Sequence, residues 1–142
     1  MKLVLDADVL VAAVRSRRGA SAAWLRAGLR REVEILASVP LMVHYESVIL
    51  RPEHQIASGL SVHELGDLLD AIAAVATPVA ISYLWRPMLR DPDDELVLET
   101  AVNGDADLLL TFNERDFAGA WSFAPIISRP GPALRGWLEG SR

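Results

Sequence analysis

Short apolar runs separated by longer amphipathic stretches form the dominant pattern of this chain. The runs predict five buried strands, at Leu3 to Leu5, Val33 to Ala37, Pro78 to Ser82, Asp107 to Leu110 and Pro125 to Ile127. The stretches with helical spacing predict six helices, at about Asp8 to Val14, Gly19 to Leu29, Ser38 to Leu50, Val62 to Val75, Pro92 to Asn103 and Pro132 to Leu138. Strands that alternate with helices predict an α/β fold on a mostly parallel sheet.

Capping residues mark several of the predicted helix boundaries. Ser38 is a candidate N-cap for the third helix. Ser61 and Glu64 have the spacing of a capping box, and Asp91 stands where an N-cap of the next helix is expected. The segment 51–54, Arg-Pro-Glu-His, is expected to break the third helix because proline cannot continue it.

Length and composition limit the kind of protein. The chain has 142 residues, so we expect a single domain over 1–142, and its 51% hydrophobic content is enough for a core. No apolar run reaches the roughly 18 residues of a membrane helix and no signal-peptide pattern is visible, so we expect a cytoplasmic protein without membrane contact. The absence of cysteine excludes disulfides, thiolate metal sites and cysteine catalysis.

Acidic residues stand at the ends of predicted elements in three distant parts of the chain. Asp6 follows the first strand, Asn113 and Asp116 lie beyond the fourth, and Asp94 lies in the first turn of a helix. Ligands bind outside the carboxyl ends of strands in an open parallel sheet, so these side chains converge if the two strands are neighbours. Mg²⁺ takes oxygen ligands and keeps several waters. The pattern therefore predicts a metal-dependent phosphodiester-cleaving enzyme.

Most acidic residues in these clusters also have a simpler explanation. Acids in the first turn of a helix are favoured by the helix dipole and by capping. This explains Asp91 as a helix cap, and it explains Asp116 as the cap of the short turn that follows it. Asp93 and Glu95 are expected to face solvent. Asp6 is hardest to explain in this way, because an acid that ends a buried strand destabilises the fold unless it is paired or binds a metal.

Basic residues are unevenly distributed. The net charge of −5 argues weakly against a general nucleic-acid binder. However, six arginines fall between Arg15 and Arg31. Three of them, Arg15, Arg17 and Arg18, follow the first helix closely and are expected to hold the phosphates of an RNA backbone. The alternative is a solvated helix surface.

Four stretches of the chain carry a family resemblance. They are residues 3–10 (LVLDADVL), 40–46 (PLMVHYE), 90–98 (RDPDDELVL) and 110–117 (LTFNERDF). In this order they resemble the opening strand and acid, the second-acid helix, the third-acid helix, and the closing strand and acid of the PIN-domain family. The similarity is greatest to the VapC-like toxins of bacterial toxin–antitoxin systems, and it spans about residues 2 to 130.

The resemblance implies a fold, a reaction and partners. The fold is a three-layer α/β/α sandwich around a central parallel sheet. The implied activity is cleavage of single-stranded RNA with Mg²⁺ or Mn²⁺, by a toxin that binds a cognate antitoxin protein and forms a homodimer. Carried over by position, Asp6, Asp94 and Asp116 are the metal-site acids, with Asn113 and Asp91 as auxiliary residues.

Two motifs depart from the family pattern. His44 stands where a glutamate is expected, and Glu46 follows two residues later. Two residues are about 200° apart around a helix, so Glu46 faces elsewhere. Either Glu46 is the working catalytic acid, or the site has lost a carboxylate to His44, which Mn²⁺ tolerates better than Mg²⁺. In the first motif, Ala7 and Asp8 replace the usual Thr-Asn, which removes a hydroxyl that orients Asp6.

Two other functions compete with the nuclease hypothesis. A catalytically impaired interaction module would bind an antitoxin or itself, through apolar residues such as Leu84, Trp85, Met88 and Leu89. A phosphatase with an aspartate nucleophile is suggested by Asp6 and Asp8 at a strand end. That chemistry normally uses a lysine beside the phosphate, and the only lysine, Lys2, precedes the strand.

Overall fold

In the part of the chain that the structure describes, a sheet of five parallel strands forms the centre of the molecule. The computed structural model describes residues 1–81, 91–120 and 125–140. The strands are β1 (Lys2–Leu5), β2 (Glu34–Ala37), β3 (Thr77–Pro78), β4 (Leu108–Leu110) and β5 (Ile126–Ser128). Their order in the sheet is β3-β2-β1-β4-β5, and every pairing is parallel.

Helices flank the sheet and complete the α/β/α sandwich predicted from the sequence. Within the described residues they are α1 (Ala7–Arg15), α2 (Ala20–Leu29), α3 (Val39–Ile49), α4 (Pro52–Ser58), α5 (Val62–Val75), α6 (Pro92–Asn103) and α7 (Pro130–Gly140). A 3₁₀ helix, Glu114–Ala120, follows β4. None of the described helices has both the length and the apolar character needed to cross a bilayer.

The path of the chain creates a switch point in the sheet. From β1 the chain builds outward to β2 and β3, and it then returns to add β4 and β5 on the other side of β1. In register, Leu5 pairs with Leu110, which pairs with Ser128. The carboxyl ends of β1, β4 and β5 therefore lie side by side, and the switch point between β1 and β4 is where an open α/β sheet binds ligands.

The capping predictions are confirmed. Ser38 Oγ accepts a hydrogen bond of 3.2 Å from Leu41 N at the start of α3. Ser61 and Glu64 form both bonds of a capping box at the start of α5. These interactions satisfy amide groups of the first turns, which have no partner within the helix.

Two predicted elements were wrong in detail. The third strand was predicted at Pro78 to Ser82, but β3 ends at Pro78, and Ser82 lies outside the described residues. The segment 51–54 does end α3, but it also starts α4, which was not predicted. Proline at the first position of a helix removes no hydrogen bond, so Pro52 begins α4. The apolar residues proposed as a contact surface, within 84–89, lie outside the described residues.

The C-terminal helix α7 is anchored on α2 through a buried tryptophan. Trp24 is completely buried, and its Nε1 donates a hydrogen bond of 3.0 Å to the carbonyl of Pro130. Its ring packs on Trp137, with centroids 5.2 Å apart and planes inclined at 33°. The residues immediately after β5 are therefore fixed by contact with α2.

Candidate functional site

Asp6 lies at the switch point and is held by the residues around it. Only 7% of its surface is exposed. Its amide donates a 2.9 Å hydrogen bond to Leu110 O, and Thr111 Oγ1 donates a 2.7 Å bond to its Oδ2. The hydroxyl of the buried Tyr45 donates to the carbonyl of Leu5. Asp6 is thus fixed to the end of β4, the preceding residue Leu5 is bonded to α3, and the hydroxyl that orients Asp6 comes from Thr111.

Thr111 belongs to the site but was not predicted from the sequence. Thr111 is fully buried directly after the apolar run of β4. A hydroxyl that ends a buried strand needs a polar partner, for the same reason as the carboxyl of Asp6. Asp6 and Thr111 each follow one of two adjacent buried strands, and this shared position could have indicated that their side chains are bonded.

Asp8 ties the start of α1 to the loop after β4. Its Oδ2 accepts hydrogen bonds from Phe112 N at 3.1 Å and from Asn113 Nδ2 at 3.0 Å. Its Oδ1 is buried without a hydrogen-bond partner in the described part of the chain. The predicted auxiliary residue Asn113 therefore contacts Asp8, and Asp8 positions the loop that leads to Asp116.

The carboxyls of this region raise one another's pKa. Burial raises the pKa of Asp94 to about 7, with further contributions from the charges of Asp6, Asp91, Asp116 and Asp93. These contributions come from Asp6 directly after β1, from the acids at the start of α6 and from Asp116 of the 3₁₀ helix.

The pKa of Asp6 and of Asp8 is shifted in the same direction. Burial raises the pKa of Asp6, and Asp116 raises it further, whereas the hydrogen bond from Thr111 and the charge of His44 lower it. Burial and the charge of Asp6 raise the pKa of Asp8 to about 6. The structure thus brings the predicted acids Asp6, Asp94 and Asp116 into one electrostatic cluster, which we call the acidic cluster.

The metal-free protein is expected to lose stability as the pH rises from about 4 to about 7. The pKa of Asp94 is raised from 3.8 to about 7, so in this window the folded state keeps a proton that the unfolded state has released. The free energy of unfolding therefore falls with increasing pH until Asp94 is ionised in both states. Urea unfolding in EDTA at pH 5 and pH 8 measures this change. The Asp94→Asn variant should lose part of it, and an identical pH dependence in both proteins would contradict the prediction.

The remaining acids of α6 have different roles. Asp91 caps the helix, as its simpler explanation predicted, because its Oδ1 accepts a 2.9 Å hydrogen bond from Asp93 N. The side chain of Asp93 is 64% exposed, as expected. The prediction for Glu95 was wrong, because only 9% of its surface is exposed. Glu95 precedes the buried Leu98 by three residues, so both lie on one face of the helix.

His44, and not Glu46, lies beside the acidic cluster. The side chain of His44 is 13% exposed, its Nδ1 is 3.8 Å from Asp93 Oδ1, and its charge lowers the pKa of Asp6. Glu46 is exposed and lines a surface groove with Val43 and other residues of α3 and α5. The structure therefore does not support Glu46 as the working acid, because the turn of α3 directs it away from Asp6.

The predicted RNA-binding arginines do not lie at the acidic cluster. Arg15 ends α1, a helix of 9 residues that starts directly after Asp6. At 1.5 Å per residue, about 13 Å of helix separates the two positions. Arg17 and Arg18 follow and are exposed. A ligand that contacts both the arginines and the acidic cluster would have to span at least this distance.

The donor atoms of the acidic cluster suit a hydrated magnesium ion. Within residues 1–81, 91–120 and 125–140, no group of three or more His, Asp or Glu side chains is arranged to hold a metal ion. Mg²⁺ commonly binds through one or two carboxylates and keeps several of its waters, so it does not require such a cage. Asp6, Asp94 and Asp116 supply oxygen atoms, and their mutual repulsion is relieved when a cation binds. The residues present therefore fit Mg²⁺ or Mn²⁺.

A parallel α/β/α sandwich with carboxylates at its switch point defines a fold of the nuclease type. The sequence pattern of the PIN domain matches residues 2–115. This match covers most of the chain, and the protein belongs to the PIN-domain family, whose members are generally metal-dependent nucleases. Neither the curated proteins nor the solved structures with which the chain was compared gave a match.

Proposed function

We propose that this protein is a divalent-metal-dependent endoribonuclease that cuts single-stranded RNA. The observation that carries the proposal is the acidic cluster at the switch point of a PIN fold. Asp6 and Asp116 both raise the pKa of Asp94, so the cluster favours a bound cation. Asp6, directly after β1, and Asp94, in the first turn of α6, are therefore suited to hold the phosphate of RNA through that cation.

Each residue of the site has a defined part in this proposal. Asp6, Asp94 and Asp116 would hold Mg²⁺ or Mn²⁺. The bound ion would lower the pKa of an attacking water and neutralise the charge of the phosphate. Thr111 orients Asp6 through its 2.7 Å hydrogen bond. Asp94 has a pKa of about 7 in the metal-free protein, and a bound cation would lower this pKa and keep the carboxylate ionised as a ligand.

We further propose that the nuclease is the toxin of a toxin–antitoxin pair, with a cognate antitoxin and a second copy of the chain as partners. The support is membership of the PIN family together with exposed apolar residues on α3, where 79% of the surface of Val39 and 62% of that of Val43 is accessible. A second candidate function is a binding module without catalysis. It is favoured by His44, which takes the place of a carboxylate beside Asp6.

Cleavage of a mixed single-stranded RNA pool tests the proposal. The wild type is compared with Asp94→Asn in Mg²⁺, in Mn²⁺ and in EDTA, and Asp70→Asn, at an exposed position of α5, serves as the matched control. We expect cutting by the wild type and by Asp70→Asn that needs a metal and is lost in Asp94→Asn. Cutting that persists in Asp94→Asn would assign the activity elsewhere. No cutting under any condition would favour the binding module.

A further inference from the structure

An aromatic ring and a guanidinium group lie together beside the acidic cluster. The exposed large apolar side chains of the described residues include one aromatic ring, that of Phe112, with 37% of its surface exposed. The Arg129 guanidinium carbon lies 5.8 Å from the centroid of this ring. The Arg129 side chain is 56% exposed. The two side chains form a small accessible surface, which we call the Phe112–Arg129 platform.

The sheet register places this platform next to Asp6. Arg129 follows β5 directly, as Asp6 follows β1, and the Thr111 amide donates a 3.0 Å hydrogen bond to Ser128 O. Adjacent strands are about 4.8 Å apart, so the backbone of Arg129 lies roughly 10 Å from that of Asp6, two strands away. The platform is thus at the same edge of the sheet as the acidic cluster.

The platform is held in place independently of any ligand. The backbone amide of Phe112 is bonded to Asp8, and the carbonyl of Pro130, next to Arg129, is bonded to the buried Trp24. Arg129 also lies 3.9 Å from Glu114, and both side chains are about half exposed. An exposed ion pair at this distance contributes little stability, so Arg129 can exchange Glu114 for a phosphate at low cost.

Aromatic rings and arginines have a specific use in binding unpaired nucleotides. Bases of single-stranded RNA stack on aromatic side chains or on guanidinium planes, whereas bases inside a duplex are already stacked and are not available. Arginine is also a strong ligand of phosphate. On an edge crowded with carboxylates, a cation beside the cluster offsets the repulsion that an RNA backbone meets there.

We propose that the Phe112–Arg129 platform is a binding subsite for one unpaired nucleotide of RNA next to the acidic cluster. The base stacks against Phe112, and Arg129 binds a neighbouring phosphate. This inference rests on the proposed ribonuclease function and adds to it a source of preference for single-stranded RNA.

Binding of a fluorescent single-stranded RNA of about eight nucleotides, measured by anisotropy in EDTA, tests the platform. Replacing Phe112 with leucine should weaken binding about tenfold, because leucine offers no aromatic ring on which a base can stack. Phe112→Tyr should restore binding to near the wild-type value. Arg129→Gln should weaken binding and reduce the slope of log affinity against log salt by about 0.7.

Two controls lie away from the platform. Ile126→Ala changes an exposed apolar residue at the opposite, amino end of β5, and Arg135→Gln removes an exposed arginine of α7. Both should bind RNA as the wild type does, and a duplex of equal length should bind equally to wild type and Phe112→Leu. Equal single-strand affinity of the wild type and Phe112→Leu would overturn the subsite while wild-type cleavage still supported the nuclease. A wild type that neither binds nor cuts RNA would overturn both.

Discussion

Replacing Asp6 with asparagine should lower the rate of RNA cleavage by a factor of about 100 to 1000 and raise the melting temperature of the metal-free protein. The loss of rate follows because the proposed cation ligand at the reacting centre would lose its negative charge. The gain in stability follows because the charge of Asp6 raises the pKa of both Asp94 and Asp8, so its removal relieves repulsion inside the acidic cluster. Cleavage kinetics in Mg²⁺ and thermal unfolding in EDTA at pH 7.5 measure the two effects.

The matched control for this change is Asp107→Asn. Asp107 is also an acid bonded to a strand, since its Oδ2 accepts a 2.8 Å hydrogen bond from Lys2 N, but it lies at the amino end of β4. This variant should cleave RNA at the wild-type rate. If Asp6→Asn cleaved normally, Asp6 would not belong to the site. If it cleaved poorly and also melted at a lower temperature, the carboxylate of Asp6 would have a structural role instead.

Replacing His44 with glutamate should strengthen Mg²⁺ binding by about tenfold, because an added carboxylate beside Asp6 attracts a divalent cation by more than its desolvation costs. The side chain of His44 is only 13% exposed and its charge already acts on Asp6, so the new carboxylate would face the cluster. The affinity for Mg²⁺ should increase more than that for Mn²⁺, since imidazole is a better ligand for Mn²⁺. Calorimetric titration of both ions measures the change.

His63→Glu provides the corresponding control. The side chain of His63 is 86% exposed on α5, and the substitution adds the same charge at the surface. Metal affinity should not change in this variant. If the wild type does not cut RNA and the His44→Glu variant does, the natural protein would work as a binding module. Equal Mg²⁺ affinity in wild type and His44→Glu would exclude position 44 from the metal site.

The position of the acidic cluster could be predicted because it depends on features that a sequence displays. Asp6 ends an apolar run and Asp94 lies in a capped first turn, and parallel strands bring such ends to one edge. The angle of 200° between residues 44 and 46 correctly separated the two faces of α3. These predictions needed only the order of the elements and their internal periodicity.

Side-chain contacts between elements could not be predicted in the same way. Asp8 lies near the start of a helix, and nothing in its own segment shows that it accepts hydrogen bonds from Phe112 and Asn113, more than 100 positions away. Glu95 is buried because of the face on which α6 packs, and that face depends on tertiary contacts. The start of α4 at Pro52 was missed because proline signals the end of one helix and the start of another equally well.

The bond between Trp24 and Pro130 fixes the last segment of the chain to α2 without involving the acidic cluster. Asp6 and Asp94 lie within 2–115, the part that matches the PIN family, and Asp116 directly follows it, whereas β5, Arg129 and α7 lie further along the chain. Because α7 is fastened to α2 by Trp24, substitutions in this last segment can alter the residue beside the cluster without moving the carboxylates. The surface beside the acidic cluster is thus the part of the site whose charge and shape can change independently of the carboxylates.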